Sequence, residues 1–203
     1  MTFSFVTAAI VFGLIFPVEL PDKTFIATLV LATRYRPLLV WLGVIAAFAV
    51  QTSISVLAGG LLAQLPRGPV QALAAAMFAI GGLLLLRGAG AADEEEAETE
   101  AEFAAKATSP ATGVTVVATS FLVLFLAEWG DLSQLLTASL VVKYDDPLSV
   151  GIGAFAALAV VSGLGAALGR TILRYVSLAT VRRVGGTVCL ILAAVSITEL
   201  LRG

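Results

Sequence analysis

The 203-residue chain contains no histidine and a single cysteine, Cys189. Without histidine there is no imidazole general base, no Ser–His dyad and no His-bearing zinc site. One cysteine excludes a disulfide within the chain. Cys189 lies in an apolar run and reads as a small core residue. Charge is scarce as well: Asp, Glu, Lys and Arg make up 13% of the residues, where an average soluble domain has about 25%. Hydrophobic residues make up 59%, and the mean hydropathy is +1.02. This composition is that of a polytopic membrane protein. No cleavable signal peptide is expected. The N-terminus has no basic region, and the first apolar stretch is too long for a signal core.

Six apolar segments are present, roughly 3–33, 38–65, 69–87, 112–142, 148–169 and 181–201. About 20 helical residues cross the hydrocarbon core, so each is long enough to span. Segments one and four are too long for a straight span and must tilt, kink or break. Pro17 and Pro21 provide a cause in segment one, because proline removes a backbone donor. Segment four has only Gly130. Between segments three and four lies "AADEEEAETEAEFAAKATSP". It is acidic, lacks an apolar stripe and reads as a solvated linker with at most a helical piece.

Lys and Arg are distributed unequally. The loops after segments one, three and five hold Arg34, Arg36, Arg87, Lys106, Arg170, Arg174, Arg182 and Arg183, and the other side holds Arg67, Lys143 and Arg202. The positive-inside rule puts the acidic linker in the cytoplasm and both termini outside.

The chain repeats itself. Displaced by 109 residues, segment four lies over segment one: Phe12 meets Phe121, Phe16 meets Phe125, Glu19 meets Glu128, and Asp22 meets Asp131. Thr24 meets Ser133, Thr28 meets Thr137 and Tyr35 meets Tyr144. Displaced by 110, Gly43 meets Gly153 and Gly59 meets Gly169. Alanine-rich helices match easily, but a paired E-x-x-D does not. Three helices per half is an odd number, so the second half enters from the opposite side. The expected fold is an all-α integral membrane protein of six transmembrane helices, built as two inverted three-helix repeats with helices one and four kinked or broken. The expected divisions are a first repeat at 1–87, an acidic cytoplasmic linker at 88–111 and a second repeat at 112–203. Such architectures are frequent in secondary transporters, whose sites lie near the midplane on discontinuous helices.

The charged pairs fall at that depth. "ELPDKT" and "EWGDLS" each place a carboxylate at i and i+3, the spacing of one helix face. Two-fold symmetry would bring the faces together. Four carboxylates in a low dielectric cannot all stay ionised and unpaired, so some hold protons when no cation is present. A divalent cation displaces those protons, which is the physical minimum for an antiporter. Thr24, Ser133, Gln134 and carbonyls freed near Pro21 and Gly130 add hard oxygens, a set that suits Mn²⁺, Ca²⁺ or Mg²⁺. Gln51 is a weaker candidate, since Val161 occupies its equivalent place. Thr28 and Thr137 fit equally well as residues bonding their own helix backbone. Asp145 and Asp146 read as an exposed turn before Pro147, and Glu199 as a surface pair with Arg202.

The two motifs resemble the signature E-x-G-D-(K/R)-(T/S), which occurs twice in the transmembrane-protein-165 group, also known as uncharacterised protein family 0016. The resemblance covers nearly the whole chain. It implies a cation–proton exchanger for calcium or manganese, with metal ligation by Glu19, Asp22, Glu128 and Asp131, and hydroxyls at Thr24 and Ser133. Pro21 stands where the motif has glycine, and Leu132 where it has Lys or Arg. Lys23 is therefore the only cation within the two motifs, a charge that modulates the site.

The expected function is a divalent cation/proton antiporter that exports Mn²⁺ or Ca²⁺ across a bacterial plasma membrane. No enzyme activity or prosthetic group is expected. Its partners are the divalent ion and the bilayer, with no nucleic acid. Gly151-x-Gly153 and Gly163-x-Gly165 suit either a homodimer or internal packing. The alternative is a divalent cation channel or uniporter of the same architecture. An amino-acid exporter is disfavoured by the net negative midplane, and an intramembrane protease by the absence of histidine.

Overall fold

A computed structural model describes residues 3–20, 23–106, 113–175 and 178–202, and every regular element among them is an α-helix. The helices are α1 (Phe5–Glu19), α2 (Lys23–Arg34), α3 (Pro37–Leu62), α4 (Arg67–Gly88), α5 (Ala92–Lys106), α6 (Val114–Ala127), α7 (Leu132–Tyr144), α8 (Pro147–Tyr175) and α9 (Leu178–Arg202). Among the described residues, α3, α4 and α8 are long and apolar enough to cross a membrane, and the bent pair α1–α2 makes a fourth candidate span. Leu57, Leu61, Ile80 and Leu84 are exposed on α3 and α4, and Leu126 on α6. An apolar exterior of this kind matches a hydrocarbon solvent.

Local chemistry sets the helix ends. Ser4 caps α1, its hydroxyl accepting from Thr7 N at 3.2 Å. Proline opens both α3 and α8, at Pro37 and Pro147, where a missing N–H costs nothing. Asp145 ends α7 in the left-handed region at φ 49°, and Asp146 Oδ1 accepts from Ser149 N at 3.1 Å. The expected exposed turn at these two aspartates is therefore a pair of helix caps.

Segments one and four are each two helices. The axes of α1 and α2 differ by 71°. Gly130, at φ 77°, lies in the gap between α6 and α7. Pro17 does not break segment one, contrary to expectation: α1 runs on through it to Glu19. The missing donor at Pro17 weakens one turn, but the helix ends at the next turn instead. Pro21 lies outside the described residues.

Packing follows the same displacement as the sequence. Gly43 of α3 lies against Val117 O and Ser120 of α6, and Gly153 of α8 lies against Ala8 O and Val11 of α1. Farther along, Gly59 meets Ala138 and Val141 of α7, and Gly165 meets Phe25 of α2. So α3 runs parallel to α6–α7, and α8 runs parallel to α1–α2. Trp41 Nε1 donates to Ala159 O at 2.9 Å while Gly151 faces Val56, which makes α3 and α8 antiparallel. Helices α4 and α9 cross with reciprocal contact: a Cβ at Gly82 would lie 2.9 Å from Gly186 O, and one at Gly186 would lie 2.9 Å from Gly82 O. Gly151, Gly153, Gly163 and Gly165 thus all face neighbours inside the chain.

Most described side chains of the linker helix are exposed, as in a solvated segment, and Phe103 is the exception. Helix α5 packs on α2 and α9, and Phe103 is 2% exposed and belongs to the main core cluster. One aromatic in an alanine- and glutamate-rich run docks the helix without an apolar stripe.

Candidate metal centre

Glu19 ends α1 and is 1% exposed; Glu128 caps the end of α6 and is 3% exposed. The two occupy equivalent places, each at the end of the first helix of a broken segment. A carboxylate so far from water is costly and needs a compensating charge, proton or donor.

Glu128 and Asp131 do not share a helix face, contrary to the i, i+3 expectation. Glu128 ends α6, and Asp131 is the N-cap of α7. The left-handed Gly130 between them interrupts the helix, so the carboxylates come from two facing helix ends. Asp131 Oδ1 accepts from Gln134 N at 3.0 Å, and Oδ2 accepts from Ser133 Oγ at 2.7 Å and from Ser133 N at 3.4 Å. The α7 N-terminus adds a partial positive charge at this carboxylate.

Gln134 braces the gap. Its Nε2 donates to Glu128 O at 2.7 Å, and its Oε1 accepts from Gly130 N at 3.2 Å. Gln51 of α3 acts from outside, its Nε2 donating to Phe125 O at 3.1 Å in the last turn of α6. Carbonyls in a final helical turn lack intrahelical donors, so side-chain amides are apt partners for them. Both glutamines therefore engage backbone here.

In the first motif, Thr24 is fully buried, and its hydroxyl has no hydrogen-bond partner. Thr28 Oγ1 donates to Thr24 O at 2.7 Å, and Thr137 Oγ1 donates to Ser133 O at the same distance. These two threonines serve their own helices. Lys23 begins α2. Its side chain and all of Asp22 lie outside the described residues. Among the described residues, no group of three or more acidic, Cys or His side chains lies together.

Two cavities flank α7. A small one of about 10 Å³ is lined by Gln51, Thr52 and Ser55 of α3 and by Ser133, Gln134 and Thr137 of α7. A larger one of about 370 Å³ opens where α3, α4, α7 and α9 meet, beside Lys143 and Asp145. Thr52 and Ser55 were not singled out in the sequence. Their signal was present, since "QTSIS" is the most polar stretch of an otherwise apolar segment.

Helices throughout the described residues, with apolar spans and buried acids at the helix breaks, are the build of a multi-pass membrane protein. A family model described as the divalent cation/proton antiporter GDT1 matches residues 7–93 and again residues 116–202. The chain belongs to this family. The two matches are displaced by 109 residues, as the motifs are. The chain is 35% identical to GDT1-like protein 1, chloroplastic, of Oryza sativa subsp. japonica, over 93% of this chain and 61% of that protein. It is 32% identical to Protein PAM71-homolog, chloroplastic, of Arabidopsis thaliana, over 90% of this chain and 56% of that protein. It is 31% identical to GDT1-like protein sll0615 of Synechocystis sp., over 88% and 90% respectively. The chain thus spans about six tenths of the length of the chloroplast relatives it matches, and most of the cyanobacterial one. No solved structure matches it.

Proposed function

We propose that this protein is a divalent cation/proton antiporter that exports Mn²⁺ or Ca²⁺ from the cytoplasm. The observation that carries this is the pair of buried glutamates, Glu19 and Glu128, at equivalent helix breaks in a chain that matches one antiporter family twice. On this reading the chain is two inverted three-helix repeats at 1–87 and 112–203, with 88–111 as a cytoplasmic linker, and the doubled family match supports a repeat. The antiparallel course of α3 and α8 and the equivalent glycine contacts support that inversion. The Lys and Arg distribution supports both termini lying outside, in a bacterial plasma membrane.

Glu19, Asp22, Glu128 and Asp131 hold the cation when ionised, with Thr24 and Ser133 as neutral oxygens beside them. Gln134 contributes by shaping the break, and its Oε1 completes the oxygen set once released from Gly130. Protons arriving from outside neutralise the carboxylates and discharge the metal. Lys23 partly offsets the negative charge of the empty site, and Leu132 provides no second ammonium.

Proteoliposomes test this directly. Mn²⁺ uptake is expected to follow an imposed pH gradient and to move protons the other way. Glu19→Gln and Glu128→Gln should each abolish it. Flux indifferent to the gradient would identify a channel instead.

A further inference from the structure

We propose that α5 is a removable plug. On the linker side of the bundle it fills the place that is an open cavity in the other half, and it must lift for a cation to reach the motif from that side. The inference deepens the exchanger reading and rests on it, since only an ion route gives a plug something to close.

The two halves differ at one place. The cavity of about 370 Å³ is lined by Ser139, Leu140 and Lys143 of α7, together with residues of α4 and α9 such as Phe78 and Ser196. Displaced by 109 residues, Ser139, Leu140 and Lys143 fall on Val30, Leu31 and Arg34 of α2. By the same displacement α4 falls on α9. The counterpart of the cavity therefore lies along α2 and α9, and α5 packs on both. Ser139 is half-buried where the cavity is open, whereas Val30 is buried in one cluster with Phe103. Most of α5 falls between the two family matches, which end at residue 93 and resume at 116. It stands outside the repeated unit, so the other half has no equivalent of it.

The bend at the first motif makes room for the plug. Gly185 of α9 lies against Pro17 and Val18 at the end of α1. Helix α2 sets off at 71° to α1, and beyond that bend α5 packs on α2 as well as on α9. Arg182 Nη1 donates to Gly88 O at 2.9 Å, which ties α4 to α9 just before α5 begins.

Little holds α5 down. Among its described side chains Phe103 is the buried one; Thr99 and Ala104 are half-buried, and Ala97, Glu98, Ala101, Glu102 and Ala105 are exposed. A helix with a broad apolar stripe would be a fixed part of the core. One anchored by a single aromatic belongs to the low end of local stability, from which gating segments are drawn.

Thiol labelling in reconstituted vesicles tests this. Val30→Cys and Ser139→Cys are made singly in a Cys189→Ala background, and an impermeant maleimide is applied from the linker side and the opposite side respectively. Ser139→Cys is expected to react at rest, and Val30→Cys to be protected. Phe103→Ala should speed labelling of Val30→Cys at least about tenfold, because truncating a buried phenylalanine costs more than a tenfold population change. It should leave Ser139→Cys unchanged, which a general loss of fold would not. Val30→Cys labelled equally with and without Phe103 overturns the inference. A second measurement keeps Phe103 in place: Mn²⁺ with a pH gradient should speed labelling of Val30→Cys over the resting rate, and protection that persists while Mn²⁺ is transported overturns the plug. Uptake itself reports on the exchanger reading. If none occurs, that reading fails, while the resting comparison still judges whether α5 covers Val30.

Discussion

At the residue scale, Asp131 has two roles that substitution can separate. It is an N-cap, bonded to Ser133 N and Gln134 N, and it is a carboxylate beside the buried Glu128. Asparagine caps helices as well as aspartate does, whereas alanine costs about 1 kcal/mol at such a site. Asp131→Asn is therefore expected to keep the wild-type melting temperature in detergent and lose Mn²⁺ uptake. Asp131→Ala should lose both. Equal uptake by Asp131→Asn and wild type would make Asp131 a cap only. Gly130 is a backbone requirement of another kind. At φ 77° an L side chain is strained, so Gly130→Ala should destabilise the protein by about 1–2 kcal/mol, read as a lowered denaturation midpoint. The two-motif pattern was legible at this scale. The separation of Glu128 from Asp131 onto different helices was not, because an E-x-x-D spacing reads as one face until a positive φ interrupts it.

At the element scale, helices meet through close backbone approach at a few glycines. A Cβ on Gly82 would lie 2.9 Å from Gly186 O and 3.0 Å from the Leu190 side chain. A backbone carbonyl cannot move aside cheaply, so Gly82→Ala should cost about 1–3 kcal/mol of α4–α9 packing. Hydrogen exchange along α4 and α9 would report the loss as faster exchange. Helix α5 is held differently, by Phe103 buried on the α2 and α9 side of the bundle. Phe103→Ala removes about 3–5 kcal/mol of core packing by the usual measure for such truncations. It should leave the linker open to limited proteolysis while the transmembrane core resists. The helix segments themselves followed from apolar run length. The docking of α5 did not, because a single aromatic has no periodicity to detect.

At the scale of the whole molecule, the sequence displacement recurs as a displacement of contacts. Gly43 on α6 and Gly153 on α1 are the same packing event in two halves. On the proposed inversion, two nearly equal halves can exchange conformations at little cost, which suits alternating access. Dissipating the pH gradient with a protonophore should therefore collapse Mn²⁺ accumulation in proteoliposomes, and reversing the gradient should reverse net flux. Accumulation that survives the protonophore would contradict proton coupling. The halves also differ. Gln51 and Gln134 brace the α6–α7 gap, and their equivalents Val161 and Phe25 cannot.

Composition, run length and the doubled motif were enough to establish a helical membrane protein with its acids at mid-segment. These are local properties, because hydrocarbon demands long apolar helices and every buried charge is visible against that background. Where each helix stops, which carbonyls the glutamines satisfy, and how Thr52 and Ser55 come to face α7 depend on contacts between residues some 80 positions apart. A backbone turn at Gly130 and the glycine contacts between helices decide those, and neither leaves a periodic trace in the chain.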